Sequence, residues 1–366
     1  MGYILSAGTS YPAYEMKQDS VVEFARELFQ DTYKDIDRLL KVFHNGEIKS
    51  RQFSQKLDWY KENHTFEDKN NTYIQQAVLH GVRAISNCLS HSFFLKQPVS
   101  EKEVEAIFFI SSTGISTPSI DAKIMNQLPF KETTKRIPIW GLGCAGGASG
   151  LSRAYDYVKA YPKANVLVLA VELCSLTFQR DDLSKSNLIG SSLFSDGTAA
   201  ILISGKNSTL LKQSACPALP NIIATKSVFM RDSEDVMGWN IKNNGLYVVF
   251  SRDIPFIIKK WLRPSVQEFL QENSISLSDL KVFLAHPGGK KVLQAYQDSL
   301  QLSEDLLSTS KEILERHGNM SSVTVMYVIK SYMEKNKGIA GDFGMIGALG
   351  PGFSSELLLV KWKEIR

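Results

Sequence analysis

The sequence predicts an α/β protein made of two similar halves. Short apolar runs rich in β-forming residues alternate with segments whose apolar residues recur at helical spacing. In the first half Ser111 ends a strand, and Cys144 stands 33 positions later in a glycine-containing loop before a helix. In the second half the same 33 positions separate His286 from Asn319. The chain of 366 residues, 43% hydrophobic and 22% charged, is long enough for two fused halves.

The first half begins with helical sequence and continues with buried strands. We expect the first third of the chain to be largely helical, as in Val21–Phe29, where apolar residues recur at helical spacing. Val104–Ser112 and Asn165–Val171 are apolar runs that predict buried strands. Between them a helix is expected to follow the glycine-rich segment and to end near Ala160.

The second half repeats this order. Leu280–Ala285 predicts a buried strand, Val323–Lys335 a helix and Ser355–Lys361 a closing strand. We place the division between residues 1–205 and residues 206–366. If the halves meet face to face, their polar loops share one pocket.

Charge and cysteine spacing exclude several classes of protein. A net charge of +4 is compatible with anionic substrates. The sequence does not have the concentrated basic region that is typical of a nucleic-acid-binding protein. The four cysteines have wide, irregular spacings without a CxxC pair, so we expect no metal site and a reducing compartment. They are Cys88, Cys144, Cys174 and Cys216. Cys88 in helical sequence and Cys174 at the end of a strand are expected to be core residues.

No targeting or membrane-spanning segment is expected. The amino terminus lacks the basic region and long apolar region of a signal peptide. The longest apolar stretch starts at Val166, is interrupted by Glu172 and falls short of the ~20 residues that cross a bilayer. A cytoplasmic protein is therefore expected.

Cys144 is the candidate nucleophile. The glycines around it are Gly141, Gly143, Gly146, Gly147 and Gly150. Glycine permits a sharp turn and lets a substrate approach the main chain closely. A cysteine at a helix N-terminus meets unpaired N–H groups and the positive end of the helix dipole, which predicts a lowered thiol pKa. The alternative interpretation is a small buried residue that packs a helix start.

His286 and Asn319 are the candidate partners of this cysteine. His286 follows a buried strand and precedes Pro287 and two glycines, which would leave the imidazole at the tip of the strand. There it could donate a hydrogen bond to a thioester oxygen or, when protonated, stabilise a thiolate. Asn319 either caps the following helix or donates its amide to an oxyanion without adding negative charge. Cys, His and Asn fit decarboxylative thioester condensation, and also a cysteine protease.

Wider motifs separate these two chemistries. They are Leu142–Gly147 (LGCAGG), Leu193–Gly197 (LFSDG), His286–Gly289 (HPGG), Gly318–Ser322 (GNMSS) and Gly347–Gly352 (GALGPG). In this order they resemble the chalcone and stilbene synthase family, the type III polyketide synthases, over nearly the whole chain. Among its members they are most similar to bacterial alkylpyrone synthases.

The resemblance implies a thiolase-like fold with two α/β halves in an αβαβα layered arrangement. It also implies that Cys144 attacks a starter acyl-CoA, and that His286 and Asn319 form the oxyanion site that assists malonyl-CoA decarboxylation. Substrates would arrive as free CoA thioesters, no cofactor or metal is implied, and a homodimer is expected. The residues implied to bind substrate are Phe194 at the active-site mouth, Thr177 and Ser321 on the cavity wall, and Gly347, Gly350, Pro351 and Gly352 in a loop beside the cyclisation pocket.

CoA phosphates are implied to contact basic residues on an early helix. Arg38 and Lys41 match two of the family's positions and can lie on one helical face, whereas the third position holds Asn45. A solvated charged face is the alternative interpretation.

Two further positions depart from the family pattern. Val248 stands where the family has a second gatekeeper phenylalanine, and the smaller side chain predicts room for a long or bulky aliphatic starter. Phe250 would lie on the same face of a strand and could refill part of that gap. Thr117 stands where plant enzymes often have a methionine that reaches into the partner subunit, so that contact is not assured here.

The sequence therefore predicts an acyltransferase. It would extend a long-chain fatty acyl-CoA with malonyl-CoA by iterative decarboxylative condensation and release alkyl α-pyrones. The open alternatives are an alkylresorcinol-forming synthase, a β-ketoacyl synthase III-like enzyme that performs one condensation on a carrier protein, and a catalytically idle scaffold.

Overall fold

The computed structural model describes residues 1–251 and 253–365, which form thirteen β-strands and ten α-helices. The strands are β1 (Gly2–Ser10), β2 (Tyr14–Lys17), β3 (Ser50–Phe53), β4 (Ala106–Ile110), β5 (Lys135–Ile139), β6 (Asn165–Leu173), β7 (Asp196–Gly205), β8 (Ala218–Phe229), β9 (Met237–Lys242), β10 (Gly245–Phe250), β11 (Leu280–Ala285), β12 (Phe343–Gly350) and β13 (Ser354–Glu364). The helices are α1 (Gln18–Phe29), α2 (Ile36–Asn45), α3 (Phe66–Leu89), α4 (Ile120–Met125), α5 (Gly146–Ala160), α6 (Lys185–Leu193), α7 (Ile254–Glu272), α8 (Lys290–Leu300), α9 (Ser308–His317) and α10 (Ser322–Glu334).

Nine strands pair in the order β11-β12-β13-β8-β1-β7-β6-β4-β5. Strands β1 and β8 are joined through only two residue pairs, Gly2 with Ile222 and Tyr3 with Asn221. This narrow junction divides the strands into one group from each half of the chain.

The two groups have the same topology. In the first, β4 and β6 are parallel, the helix α5 lies between them in the chain, and β7 pairs antiparallel with β6. In the second, β11 and β12 are parallel, α10 lies between them in the chain, and β13 pairs antiparallel with β12. The predicted pair of similar halves is thereby confirmed, whereas the boundary at residues 205 and 206 stays a prediction.

The layers alternate between helices and strands. Helix α3 packs on one face of the first group, and α5 and α10 contact strands of both groups. In β11, Val282 and Leu284 belong to the core around α5 and α10, whereas Phe283 and Ala285 belong to a second core that includes the outer helices α7 and α8. Since alternate strand residues point to opposite faces, this places the second group between two helix layers, as the αβαβα prediction requires.

Most predicted elements in the core are confirmed within two residues at either end. The largely helical first third is wrong at its start, because β1 lies centrally in the sheet between β7 and β8. Small residues let this strand lie close to α3: the Ser6 hydroxyl donates to the Cys88 carbonyl at 2.6 Å. A Cβ on Gly8 would lie 2.1 Å from the Cys88 nitrogen.

The helices remain typical of a globular protein. Even the longest, α3, has 24 residues and carries acidic residues in its first turn. Within the described part of the chain, none is long and apolar enough to cross a membrane.

Candidate active site

Cys144 lies on a single 3-10 turn, Gly143–Ala145, immediately before α5. Gly143 has φ +45°, and a Cβ there would lie 2.6 Å from the Pro351 ring. On the other side, a Cβ on Gly147 would lie 2.1 Å from the Ser322 carbonyl oxygen, so the starts of α5 and α10 are in close contact. The glycines therefore permit the close packing that brings the two predicted loops together.

Asn319 connects three parts of the site. Its backbone N–H donates to Leu193 O at 2.9 Å, and its carbonyl accepts from Ser195 N at 3.0 Å. Its side-chain Nδ2 donates to Gly288 O at 3.1 Å, while Oδ1 accepts from Ser321 N at 2.8 Å just before α10. Hydrogen bonding from the hydroxyl of Ser321 and the amide of Asn319 acts to lower the pKa of the Cys144 thiol. Asn319 thus supports the helix start, as the first interpretation holds, and also contacts the candidate nucleophile.

His286 follows directly after β11. Its backbone N–H donates to Gly347 O at 2.7 Å, so the sheet fixes its position. The side chain is only 2% exposed, and neither ring nitrogen has a hydrogen-bond partner among the described residues. Burial lowers the pKa of His286 to about 3, so the ring is a neutral imidazole with one donor and one acceptor nitrogen.

The expectation of a lowered Cys144 pKa is wrong for the unliganded site. Withdrawal from water raises the pKa of the Cys144 thiol to about 11, and the charge of Glu172 raises it further. The hydrogen bonds from Ser321 and Asn319 act in the opposite direction but are outweighed. The Cys144 thiol and the His286 imidazole are therefore both neutral in the unliganded site.

Glu172 is a polar residue of the site that sequence reasoning missed. Its fully buried carboxylate accepts from Ser112 N at 3.0 Å, from Thr113 Oγ1 at 2.9 Å and from Ser322 Oγ at 2.6 Å. Burial raises the pKa of Glu172 to about 7. The signal was present, since this is the charged residue that interrupts the apolar run from Val166. Such a residue in a buried strand needs several partners.

Phe194 pairs with Asn319 through an isolated β-bridge and contacts the hairpin of β9 and β10. Its ring centroid is 5.5 Å from that of Phe250 and 5.7 Å from that of Trp239. Val248 lies on β10 directly opposite Trp239 on β9. The expected strand is confirmed, while the role of Phe250 in refilling the gap stays a prediction. The contact with Trp239 was missed. The Asn243–Asn244 turn could have signalled it, because a two-residue hairpin turn sets the pairing register.

Phe194, Val248 and Thr177 line one small cavity, with Cys174 beside them. The Thr177 hydroxyl donates to Cys174 O at 2.8 Å, so its proton is used within the protein. Cys174 and Cys88 are buried, as expected of core residues.

The GALGPG segment is mostly strand, which corrects its description as a loop. Gly347 and Gly350 belong to β12, and only Pro351 and Gly352 lie in the turn before β13. A Cβ on Gly347 would meet the Phe283 ring at 2.8 Å, in the core. Gly350 and Pro351 instead contact the turn of Cys144. Pairing of β12 with two neighbouring strands accounts for the extended backbone.

Arg38, Lys41 and Asn45 lie on α2 and are exposed. Arg38 and Lys41 make no ion pair with any described residue. Thr117 is also exposed, and its contact with a partner subunit stays a prediction. No group of His, Cys, Asp or Glu side chains within residues 1–251 and 253–365 is arranged to hold a metal ion.

Comparison with known proteins gives matches across the whole chain. The profile of "Chalcone and stilbene synthases, N-terminal domain" matches residues 1–207, and that of the C-terminal domain matches residues 221–363. A putative chalcone synthase of Bacillus subtilis is 55% identical over all of both chains. The α-pyrone synthesis polyketide synthase-like Pks18 of Mycobacterium tuberculosis is 27% identical, over 97% of this chain and 89% of its own. The crystal structure of 1,3,6,8-tetrahydroxynaphthalene synthase from Streptomyces coelicolor, a bacterial type III polyketide synthase, superposes with a TM-score of 0.91 at 26% identity over 99% of both chains.

Proposed function

Since the chain belongs to the chalcone and stilbene synthase family of type III polyketide synthases, which are acyltransferases, we propose that it extends a long-chain fatty acyl-CoA with malonyl-CoA and releases alkyl α-pyrones. The observation that carries the proposal is the buried His286 ring, whose two nitrogens have no partner among the described residues. Buried polar groups without partners are rare in folded proteins. Here a substrate oxygen would accept from the N–H of the neutral ring, and the other nitrogen would accept the proton of the Cys144 thiol.

Starter loading is the first step. The Cys144 thiol transfers its proton to the neutral imidazole of His286 as the sulfur attacks the thioester carbon. The N–H groups of the imidazolium and of Asn319 hydrogen-bond the tetrahedral oxyanion. The carbon–sulfur bond to CoA then breaks, the CoA thiolate takes the proton from His286, and the acyl chain stays on Cys144.

Extension follows at the same donors. Malonyl-CoA loses carbon dioxide, and the electron pair of the broken bond forms an enolate whose oxygen accepts hydrogen bonds from His286 and Asn319. Its carbon attacks the acyl thioester on Cys144, and the thiolate leaves. The product is an acyl-CoA two carbons longer, which reloads for another round. No general base is needed to form the nucleophile, because decarboxylation supplies it.

Ring closure releases the product. After two or three extensions, an enol oxygen of the chain attacks the terminal thioester carbonyl and expels the thiol, which gives a six-membered lactone. Pks18 is named for α-pyrone synthesis, which supports this outcome by analogy. An aliphatic starter is supported by Val248 and by the largely apolar cavity that it shares with Phe194.

Purified protein with malonyl-CoA and acyl-CoAs from acetyl to stearoyl, without carrier protein, tests the proposal by product mass. We expect masses of starter plus two or three ketide units, which Cys144→Ala does not produce. Lactone and resorcinol differ in mass and in the carbon dioxide lost. Activity only after a carrier protein is added would favour a single-condensation synthase, and no product under any condition would favour a scaffold.

CoA binding has its own test. Exposed cations raise the local concentration of an anion, so Arg38→Glu or Lys41→Glu should raise KM for malonyl-CoA by about tenfold. The increase should shrink at high salt. Lys102→Glu, an exposed charge reversal elsewhere on the surface, is the matched control. An equal increase of KM in the control would mean that Arg38 and Lys41 have no specific role in CoA binding.

A further inference from the structure

Arg51 on β3 is a fully buried cation that lies next to the loop of Asn319. Its stem packs against Gly318, where a Cβ would lie 2.9 Å from Cγ and Cδ of Arg51. Its Nη1 donates to the carbonyls of Ser191 and Phe194 at 2.7 and 2.8 Å. We propose that Arg51 is a positioning residue, which holds the backbone at Phe194 and, through it, Asn319. The proposal rests on the proposed function and adds a residue on which the geometry of its oxyanion site depends.

One peptide unit connects Arg51 with Asn319. The Phe194 carbonyl, which accepts from Arg51, and the Ser195 N–H belong to the same planar peptide. This N–H donates to the Asn319 carbonyl at 3.0 Å, and the Asn319 N–H donates to Leu193 O at 2.9 Å. The two segments thus pair as an isolated parallel bridge. A displacement of this peptide is therefore passed to the backbone of Asn319 and to its side-chain amide.

Arg51 also holds the end of α6, which leads into Phe194. The last carbonyls of an α-helix have no donor within the helix. Here Ser191 O accepts from Arg51, and Ser192 O accepts from Gln18 Nε2 at 3.0 Å. Gln18 Oε1 in turn accepts from Arg51 Nε at 3.1 Å. A cation is also stabilised at this end of a helix by the helix dipole, so α6 ends in a fixed place.

The chemistry of the guanidinium suits this task. Burial lowers the pKa of Arg51 to about 9, against the charge of Asp196, so the side chain is still a cation at neutral pH. Nη2 has no partner among the described residues, and the acceptors of Nε and Nη1 are neutral oxygens. Such a buried charge is costly, and an apolar side chain could fill the same space. An apolar side chain could not supply donors in fixed directions, which is what holds the peptide at Phe194.

Malonyl-CoA decarboxylation without starter tests the proposal. Arg51→Met keeps an apolar stem against Gly318 but removes the donors. Because misplacement of a catalytic group by about 1 Å can cost about a hundredfold, kcat should fall about tenfold or more, with KM within about twofold of wild type. Arg51→Lys, which restores a cation and a donor, should recover part of the loss. Lys69→Met is the matched control and should keep the wild-type rate, because Lys69 is also a buried cation and donates to the Phe178 carbonyl.

A double-mutant cycle shows whether the effect passes through Asn319. In the Asn319→Ala background, Arg51→Met should lower kcat by less than about twofold, because the amide that Arg51 positions is already absent. An equal fold-change of kcat in both backgrounds would overturn the proposal. An equal loss in Lys69→Met, or a wild-type rate in folded Arg51→Met, would overturn it as well.

Alkylation of the Cys144 thiol gives a second readout that needs no substrate. Hydrogen bonding from Asn319 acts to lower the pKa of Cys144, so displacement of Asn319 in Arg51→Met should move the pH profile of alkylation to higher pH. General loosening of the site has the opposite sign, because burial raises this pKa and entry of water would lower it. A shift to lower pH would therefore contradict a positioning role.

Failure of the proposed function is distinguishable from failure of this inference. If wild type forms neither acetyl-CoA from malonyl-CoA nor a product from any starter, the proposed function itself fails. Circular dichroism checks the folding of each variant. If Arg51→Met does not fold, Gln18→Leu replaces it, since this change removes the acceptor of Arg51 Nε and the donor to Ser192 O. It should give the same pattern in the cycle with a smaller fall in kcat, and additive effects would again overturn the proposal.

Discussion

At the end of β4 the Ser111 side chain accepts a hydrogen bond from Tyr73 at 2.8 Å, whereas at the equivalent end of β11 His286 has both ring nitrogens unpartnered among the described residues. Both side chains are 2% exposed, and each follows directly after a strand. Thirty-three positions later, the first half carries a thiol at Cys144 and the second an amide at Asn319. The same topology thus places a satisfied structural group and the candidate nucleophile in one half, and the candidate hydrogen-bonding groups for a substrate in the other.

In a duplicated fold, this difference helps to distinguish residues that stabilise the structure from residues that bind a ligand. A buried polar group with partners stabilises the loop, while one without partners costs free energy unless a ligand is bound. The first-half loop is stabilised further by Glu172, which also bonds Ser322 at the start of α10 and so links the two halves.

Removal of the Cys144 thiol should cause the largest loss of activity among the variants that compare the two halves. Cys144→Ala should lower condensation by at least about a thousandfold, because the acyl chain has no point of attachment. The measurement is the rate of ketide product formation from palmitoyl-CoA. Cys216→Ala, a buried cysteine outside the site, should keep the wild-type rate. Substantial condensation by a folded Cys144→Ala would place the acyl chain elsewhere.

Removal of the second-half amide should come next. Asn319→Ala deletes one of two proposed oxyanion donors, so kcat should fall by about 10²–10³-fold. Asn207→Ala, at an exposed position, serves as the control in the same assay. A fall confined to KM would argue that Asn319 only binds substrate. Since Asn319 also bonds Ser321 N, folding is checked by circular dichroism.

Removal of the Glu172 carboxylate, which links the two halves, should change the pH at which the Cys144 thiol becomes reactive. The charge of Glu172 raises the pKa of Cys144, so Glu172→Gln should lower that pKa and move the pH profile of thiol alkylation to lower pH. Because the pKa of Glu172 is itself about 7, the two profiles should differ most above pH 7, where the wild-type carboxylate is charged. Identical alkylation profiles in wild type and Glu172→Gln would contradict an effect of the Glu172 charge on Cys144.

The smallest effect on activity is expected at Ser111, whose side chain already has a hydrogen-bond partner within the protein. Ser111→Ala leaves the buried Tyr73 hydroxyl without its partner, which should lower the free energy of unfolding by about 1–3 kcal/mol. Product formation should stay within about twofold of wild type, because Ser111 donates nothing to the substrate. Urea denaturation and the product assay measure both. A large loss of activity in a stable variant would mean that the first-half loop also binds substrate.

The sequence predicted those parts of the protein that depend on local patterns. Leu280–Ala285 reads as a strand because it is apolar and ends at a Pro-Gly-Gly turn, and the glycines around Cys144 mark its loop. The protonation of the site could not be predicted, because the pKa values of Cys144 and His286 depend on burial by distant parts of the chain. Trp239 reaches the site only through the pairing of β9 with β10.

The strand β1 and the cavity beside Phe194 were missed for the same kind of reason. Strand β1 has few of the β-branched residues that mark strands, and its place is set by pairing with β7 and β8. The cavity combines residues from α1, α6 and β10, which are far apart in the chain. Neither feature leaves a local pattern.

The most direct test of the divided roles is malonyl-CoA decarboxylation, measured as acetyl-CoA formed in the absence of starter. If Cys144 only holds the chain while His286 and Asn319 stabilise the enolate, a folded Cys144→Ala should retain a measurable part of the wild-type rate, and His286→Ala should lose it by about a hundredfold or more. Equal and complete loss in both folded variants would contradict this division between the two halves.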